Sequence, residues 1–339
     1  MIVLGVHEGH DAGASLLKNG KIIAAVNEER LSRIKLYIGI PKQSIKAVLD
    51  IAKISPNKID KVAIAGTLGI MASLGWEKIN FKKKFYQSLC NNFGFFASTM
   101  LFANLQRTLF KPLRNKKVEN YLKTIGIDAE VEYVDHHLCH AASAYYTCGK
   151  DKALVMTLDG SGDGLSGSVY VGNNRELKLV KEIPTFHSIA YYYAYITQLA
   201  GFKMFKHEGK ITGLAAHGNP NKCYSIFEKA FGYKNGSPRN TLGLMGHGAI
   251  NYLKEKLKNY SMQDYSAAIQ KRTEDVTCDF VNDYINKTKI NDIAVAGGLF
   301  SNVKVNQVVN ELKNVSSLFI HPHMGDGGIA SGAALYVTA

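Results

Sequence analysis

The sequence predicts an α/β protein of two lobes, and three observations carry the prediction. At 339 residues the chain is longer than a typical single domain. One pattern of strand, Gly/Asp-rich loop, strand, turn and strand occurs in residues 2–26 and again in residues 153–180. Helical patterns follow both copies. Duplicated units of this kind build proteins that hold a nucleotide in the cleft between two lobes, so we expect lobes at residues 1–150 and 151–339.

The first lobe should begin with three short strands. The second and third are joined by Asn19-Gly20, the strongest short-range signal for a β-hairpin. Pro41 is expected to start a helix that runs through Lys53, because apolar residues recur on one face of that stretch. The expected strands are 2–6, 14–17, 21–26, 61–66 and 131–134, and a small-residue helix is expected at 141–146.

The second lobe should repeat the strands and then become mainly helical. Its loop at residues 159–164 is a Gly/Asp turn, and a Gly-Gly pair ends a later strand. The expected strands are 153–158, 167–171, 177–180, 291–296 and 318–320, and the expected helices are 186–201, 208–217, 222–232, 262–286, 302–312 and 327–337.

Composition favours a cytoplasmic protein. The five cysteines contain no Cys-x-x-Cys pair and are odd in number, which favours free thiols in a reducing compartment. The first residues run straight into a strand without the features of a signal peptide. No apolar run reaches the length of a membrane-spanning helix, so we expect no membrane partner.

The basic charge is concentrated in one segment. Net charge is +13, and residues 76–123 carry ten Lys or Arg against two Glu. An uninterrupted aromatic and apolar run lies in the same region, an insertion at about residues 70–125. Such a mixture can bind nucleic acid, but the unbroken apolar run favours a helical lid or a subunit interface. Nucleic acid is therefore a possible partner and not the favoured one.

A histidine cluster is the first candidate site. His136 and His140 are four residues apart, so on a helix they would lie on one face, one turn apart, and could bind one metal ion. His137 and His140, three apart, are a second possible pair, and spacing alone does not choose between them. A buried helix start with polar residues at its cap is the structural alternative.

Two aspartates extend this ligand set. Asp159 ends a predicted strand, and Asp326 precedes the last predicted helix within a Gly-rich run. Imidazole and carboxylate together suit Fe(II), Mn or Zn with positions left open. An isolated Asp at such a place is more often a turn residue or a helix cap.

Gly-rich loops supply candidate nucleotide contacts. The loop at residues 5–14 and the turn at residues 159–164 can offer backbone N–H groups to a phosphate, as can Gly297-Gly298 before the helix at Asn302. Glu208 and Lys210 offer an acid for a ribose hydroxyl and a cation for phosphate. None of these features is specific alone.

In this order along the chain, the motifs resemble the NodU/CmcH family of O-carbamoyltransferases. The matching runs are GHDAGA at 9–14, NEERLSRIK at 27–35, GIP at 39–41, DHHLCHAASA at 135–144, DGSGDG at 159–164, EGKITGLAA at 208–216, AGGLFSN at 296–302 and GDGG at 325–328. The resemblance spans nearly the whole chain. It implies a two-lobed actin/hexokinase/Hsp70-like (ribonuclease H-like) fold, related to the metal-binding subunit that makes threonylcarbamoyl-adenosine in tRNA.

The resemblance also implies residue roles. A carbamoyl group would move from carbamoyl-adenylate to a hydroxyl of a small acceptor beside a divalent metal, Fe(II) in type. His10 would be the general base, with Glu8 near the acceptor. The implied metal ligands are His136, His140, Asp159 and Asp326. The implied contacts to the adenine nucleotide, carbamoyl-adenylate or ATP, are Lys35, Gly160, Asp163, Glu208, Lys210, Gly297, Gly298 and Asn302.

Family members usually continue into a second domain that forms carbamoyl-adenylate, whereas this sequence stops at Ala339. A separate adenylate-forming protein is one expectation that follows. Two other functions stay open at this point. One is a threonylcarbamoyl transferase acting on tRNA, and the other is a nucleotide-binding regulatory protein without catalysis.

Overall fold

The computed structural model describes residues 1–68 and 111–339, which form two compact units. One unit consists of Met1–Thr147 and His321–Ala339, and the other is Cys148–Ile320. The sequence placed residues 321–339 in the second lobe, but they pack with the first unit. Most of the predicted insertion lies outside the described residues.

A mixed sheet forms the centre of the first unit. Its strand order is β3-β2-β1-β4-β5, with antiparallel pairs β1–β2 and β2–β3 and parallel pairs β1–β4 and β4–β5. Asn19 and Gly20 both have positive φ, 51° and 76°, as the predicted hairpin turn requires. The strands are β1 (Ile2–His7), β2 (Gly13–Lys18), β3 (Lys21–Asn27), β4 (Lys61–Ala65) and β5 (Glu130–Val134).

Among residues 1–68 and 111–147 of this unit, the structure describes four helices. They are α1 (Glu28–Ser32), α2 (Lys42–Ala52), α3 (Lys111–Thr124) and α4 (His136–Tyr145). The start of α2 is fixed by buried Glu28, whose carboxylate accepts from the Ser44 backbone N–H at 2.7 Å and the Gln43 N–H at 3.1 Å. A carboxylate there satisfies N–H groups that have no partner within the helix.

The second unit repeats the sheet. Its five-stranded sheet has the order β12-β11-β6-β7-β8, which corresponds strand for strand to the first sheet. A separate two-stranded hairpin, β9–β10, was not predicted. The strands are β6 (Lys152–Gly162), β7 (Leu165–Asn173), β8 (Glu176–Pro184), β9 (Phe231–Lys234), β10 (Ser237–Asn240), β11 (Asp292–Ala296) and β12 (Ser317–Ile320).

Helices of the second unit lie close to their predicted positions, and α8 is an additional one. The longest, α9, begins after Ser261, which caps it, and ends at Lys289 in the left-handed conformation. The helices are α5 (Ile189–Leu199), α6 (Glu208–Ala215), α7 (Tyr224–Ala230), α8 (Gly246–Leu257), α9 (Met262–Thr288) and α10 (Val303–Asn310).

The last helix, α11 (Ile329–Thr338), returns to the first unit and covers one face of its sheet with α4. Period-two alternation divides the strand residues between the faces: Val3 packs with α4 and α11, and Leu4 packs with α2 and α3. A Cβ at Gly332 would lie 2.8 Å from the carbonyl carbon of Cys139 and closer still to its oxygen. Glycine at that position therefore lets α11 and α4 approach closely.

Among the described helices, none combines the length and apolarity that crossing a bilayer requires.

Candidate metal centre and nucleotide cavity

The histidine cluster lies at the start of α4. Asp135 caps this helix, since its side chain accepts from the Leu138 backbone N–H at 3.0 Å. The helix consequently begins at His136, five residues before the predicted start at Ala141. Both His136 and His140 are thus helical, one turn apart.

Three donor atoms converge within the first unit. His136 Nε2 and His140 Nε2 are 3.1 Å apart, and Asp326 Oδ1 lies 3.5 Å from the first and 3.4 Å from the second. A cation about 2.1 Å from such ligands places their donor atoms about 3.0–3.4 Å apart, at octahedral to tetrahedral angles. The observed spacing therefore fits one small divalent cation.

The chemistry of the donor set also fits a metal. The side chain of His140 is 0% exposed, that of His136 7% and that of Asp326 15%, so little water competes for them. Two imidazoles and one carboxylate are the set that holds Fe(II) and related ions with open positions. His137 is buried too, but its ring lies 6.0 Å from that of His140, against 4.8 Å for His136. Geometry therefore favours His136 over His137 as the partner of His140.

Close packing fixes the position of Asp326. A short 3₁₀ turn, Asp326–Gly328, leads into α11. At Gly327 a Cβ would overlap the His323 ring, and at Gly328 it would overlap the His323 carbonyl group. The His323 carbonyl is a backbone group that cannot move aside, so Gly328 must be glycine for this turn to hold the carboxylate.

The loop at residues 8–12 carries Glu8 and His10. Its backbone is held by Ala12 N–H donating to Tyr37 O at 3.0 Å and by Gly39 N–H donating to Glu8 O at 2.9 Å. His7 Nε2 lies 3.0 Å from the His10 carbonyl oxygen and so carries the proton that it donates. Burial lowers the pKa of His7, which keeps the ring neutral in this arrangement.

Lys35 lies on the neighbouring loop. Glu29 accepts from the Leu36 backbone N–H at 2.9 Å, and Leu36 adopts a left-handed φ of 54°. The loops that carry His10 and Lys35 are joined by the two backbone bonds described above. His10 and Lys35 belong to separate motifs in the sequence, and the fold brings their loops together.

Asp159 belongs to the second unit, where the Gly298 backbone N–H donates to its Oδ1 at 3.0 Å. Gly297 has a φ of 105°, and a Cβ there would lie 2.7 Å from the Leu158 carbonyl carbon. The Gly297-Gly298 turn after β11 therefore packs closely against the backbone of β6 at Leu158 and Asp159. The predicted role of Asp159 as a metal ligand stays a prediction.

Gly160 and Asp163 lie at the end of β6. Asp163 and Gly164, with φ of 50° and 91°, form the two-residue turn to β7, a conformation that hairpin geometry alone requires. The predicted contact of Gly160 and Asp163 with nucleotide stays a prediction.

A cavity of about 240 Å³ lies among α6, α9 and α10 of the second unit. Its lining includes Thr212, Gln270, Lys271, Glu274 and Lys304. None of these five was singled out from the sequence. The i,i+4 spacing of Gln270 and Glu274 on α9 is a signal that could have pointed to these two.

Three of the predicted nucleotide residues lie on the elements that line this cavity. Asn302 caps α10 and donates through Nδ2 to Gln270 Oε1 at 2.8 Å. Glu208 accepts from the Phe205 backbone N–H at 2.6 Å, and Lys210 Nζ lies 4.7 Å above the Phe202 ring. The Glu208 carboxylate thus ties the loop before α6 to the first residue of the helix.

A buried tyrosine, Tyr193, contacts two residues of the cavity lining. Tyr193 donates to Gln270 Oε1 at 2.7 Å, and its oxygen lies 2.8 Å from Thr212 Oγ1. Burial raises the pKa of Tyr193, so the phenol stays protonated and remains a donor. The orientation of the Gln270 amide is thereby set by two donors, Tyr193 and Asn302.

Comparison with protein families decides the relationship. The family model described as the N-terminus of carbamoyltransferases matches residues 2–335.

The chain belongs to the carbamoyltransferase N-terminus family.

Curated relatives agree with this membership. The nodulation protein NolNO of Sinorhizobium fredii is 29% identical over 345 residues, which cover 97% of this chain and 46% of that protein. An uncharacterized protein of Methanocaldococcus jannaschii is 29% identical over 342 residues, covering 98% of this chain and 57% of its own length. The chain therefore spans about half the length of these relatives.

Solved structures show the fold. Component A of (R)-2-hydroxyglutaryl-CoA dehydratase from Acidaminococcus fermentans superposes with a TM-score of 0.53 at 16% identity, covering 99% of this chain and 97% of that one. Full-length HypF in its phosphate- and nucleotide-bound form has a TM-score of 0.51 at 13% identity, covering 99% and 46%. The chain thus has the two-sheet α/β fold of the actin/hexokinase type.

Proposed function

We propose that this chain transfers a carbamoyl group from carbamoyl-adenylate to a hydroxyl group of a small-molecule acceptor. Membership of the carbamoyltransferase family supports the transfer. The observation that carries the finer proposal is the convergence of His136, His140 and Asp326 at 3.1–3.5 Å in a site that is nearly closed to water.

These three side chains would hold one divalent ion, Fe(II) in type, with Asp159 as the fourth predicted ligand. A divalent ion there supplies Lewis acidity that polarises the carbamoyl carbonyl. The closed surroundings would strengthen this electrostatic effect, because charges interact more strongly where water is excluded.

His10 acts as the general base in this proposal. It takes the proton from the acceptor hydroxyl as the oxygen attacks the carbamoyl carbon, and adenylate leaves. An imidazole suits this step because its ordinary pKa lies near working pH. Support comes from the backbone bonds that hold the loop at residues 8–12, because a catalytic group works best on a fixed segment of chain.

The adenine nucleotide would bind in the second unit. Support comes from the cavity on α6, α9 and α10, where the Gln270 amide donates to the Glu274 carboxylate and so orients it. That carboxylate and two lysines of the lining offer an acceptor for a ribose hydroxyl and cations for a phosphate. Carbamoyl-adenylate would be made elsewhere, by a separate protein or by a further part of the same polypeptide.

The test supplies preformed carbamoyl-adenylate and a panel of hydroxylated small molecules to the metal-loaded chain. AMP release should depend on an acceptor, and the acceptor should gain the mass of one carbamoyl group. His10→Ala should lower the transfer rate by about two to four orders of magnitude, the usual worth of a positioned general base.

His10→Ala should still bind metal and nucleotide, which separates lost chemistry from lost folding. An exposed lysine of α3 provides the matched surface control, and Lys116→Ala should keep the parent rate. Transfer by His10→Ala at the parent rate would place the base elsewhere. Acceptor-independent release of AMP at every acceptor concentration would contradict carbamoyl transfer.

A further inference from the structure

A buried ion pair joins α3 to the loop that carries His10. Arg114 Nε donates to Glu8 Oε1, although the two residues lie 106 positions apart in the sequence. Their side chains are 3% and 1% exposed. Neither residue belongs to the predicted metal or nucleotide contacts, and Arg114 was not singled out from the sequence.

Stability alone does not account for this pair. Arg114 Nη2 and Glu8 Oε2 are buried without a hydrogen-bond partner among the described residues. In a bidentate pair two guanidinium N–H groups donate to the two carboxylate oxygens, so both of these atoms would have partners. Removing two charges from water costs several kcal/mol per ion, and an ion pair in which two atoms have no partner offsets only part of that cost. Apolar side chains of similar volume would stabilise the fold more.

Arg114 is itself held in a fixed position. Its guanidinium carbon lies 4.9 Å from the centre of the Tyr133 ring on β5, and Tyr133 donates to Glu119 at 3.1 Å. Stacking of this kind restricts the planar guanidinium group. The side chain is therefore a rigid support for the carboxylate that it contacts.

Glu8 is the first residue of the loop at residues 8–12. Further along, the loop is held by Asn27 Nδ2 donating to Asp11 O at 3.1 Å and by Glu28 N–H donating to Ala12 O at 2.9 Å. At its beginning, the Glu8 side chain is held by Arg114. His10 lies between these two attachments.

We propose that Arg114 is a positioning residue, which fixes Glu8 and through it the orientation of the His10 imidazole. The effect of Arg114 on transfer rests on the proposed function, because that function makes His10 the general base. The effect of Arg114 on the orientation of the His10 ring does not rest on it and can be observed directly.

The first measurement is the transfer reaction of the metal-loaded full chain. Arg114→Met should lower kcat by about 10–100-fold, the usual effect of losing a residue that orients a reacting group. The KM for carbamoyl-adenylate and the bound metal per chain should stay at the parent values. Added guanidinium ion should restore part of the rate, because it can replace the lost group in the space beside Glu8.

The second measurement needs no transfer. In protein labelled with ¹⁵N at histidine, the imidazole signals of His10 are assigned with His10→Gln. Arg114→Met should shift those signals and leave the signals of His136 and His140 unchanged. Lys116→Met, on an exposed side of the same helix, is the matched control and should shift none of them.

Arg114→Met leaves Glu8 charged and buried, so it can fail to fold. The double variant Arg114→Met with Glu8→Gln removes both charges and should regain folding while the His10 signals stay shifted. Parent His10 signals in either folded variant would overturn the proposal. A parent chain without transfer activity would refute the proposed function, and the His10 signals would still decide the role of Arg114.

Discussion

Replacing Gly332 by alanine should move the metal ligands on α4 and before α11 apart. In Gly332→Ala the new Cβ would lie 2.8 Å from the carbonyl carbon and 3.2 Å from the Cα of Cys139, and closer still to the carbonyl oxygen. These are backbone atoms, so no flexible side chain can move aside. Helix α11 must therefore move away from α4.

The size of the effect follows from the packing. Overpacking a close-packed core costs typically about 1–3 kcal/mol, and a clash with backbone belongs at the upper end of that range. A domain of this size loses about 2–4 °C in Tm for each kcal/mol, so Tm should fall by roughly 6–12 °C. Since α4 carries His136 and His140 and α11 directly follows the turn of Asp326, metal affinity should fall by about 10–100-fold.

Thermal unfolding and a metal titration of Gly332→Ala measure both effects. Gly213→Ala is the matched control, because it also places a methyl group on a helix but meets nothing within 4 Å. It should raise stability by about 0.5–1 kcal/mol, the usual gain from replacing a helical glycine. A Gly332→Ala protein with parent Tm and parent metal affinity would refute the reasoning about helix approach.

Two further predictions concern proton and nucleotide binding. Burial lowers the pKa of His321 to about 4, and the neighbouring His323 and His140 add to this effect. Between about pH 6.5 and about pH 4 the unfolded chain therefore binds a proton that the folded chain does not. The free energy of unfolding should therefore fall by up to about 3 kcal/mol as pH drops through that window, and it should fall by less in His321→Gln. Urea unfolding at each pH measures both, and an equal loss in the two proteins would contradict the prediction. Gln270→Leu and Lys210→Ala should each weaken adenine-nucleotide binding by roughly 10-fold in calorimetry while the proteins stay folded, and unchanged affinity in both would place the nucleotide elsewhere.

Local signals predicted much of the fold. The Asn19-Gly20 turn, the helix after Pro41 and the repeated strand pattern depend on neighbouring residues, and each lies within a few residues of its predicted bounds. The hairpin β9–β10 has the same kind of turn signal in Asn235-Gly236, whose φ values are 55° and 75°. Its strands are only four residues long, too short to show alternation.

Part of the candidate site was predictable because it also depends on residues that are neighbours in the sequence. His136 and His140 are close because of helical spacing, which the sequence shows directly. Asp326 reaches them through the packing of α11 on α4, which sequence spacing does not reveal. The pairing of Glu8 with Arg114 and the lining of the cavity on α9 depend on contacts between distant segments, so motif reading missed them.

The most direct test of the account is the metal content of the purified, metal-loaded chain and of single variants at the histidine cluster. The parent should bind one divalent ion per chain, His136→Ala and His140→Ala should lose most of it, and His137→Ala should retain it, all by elemental analysis of folded protein. The 3.1 Å separation would also suit an N–H···N hydrogen bond between His136 and His140, a form that binds no cation. Equal metal content in the three variants, or a parent chain that takes up none, would contradict the metal centre.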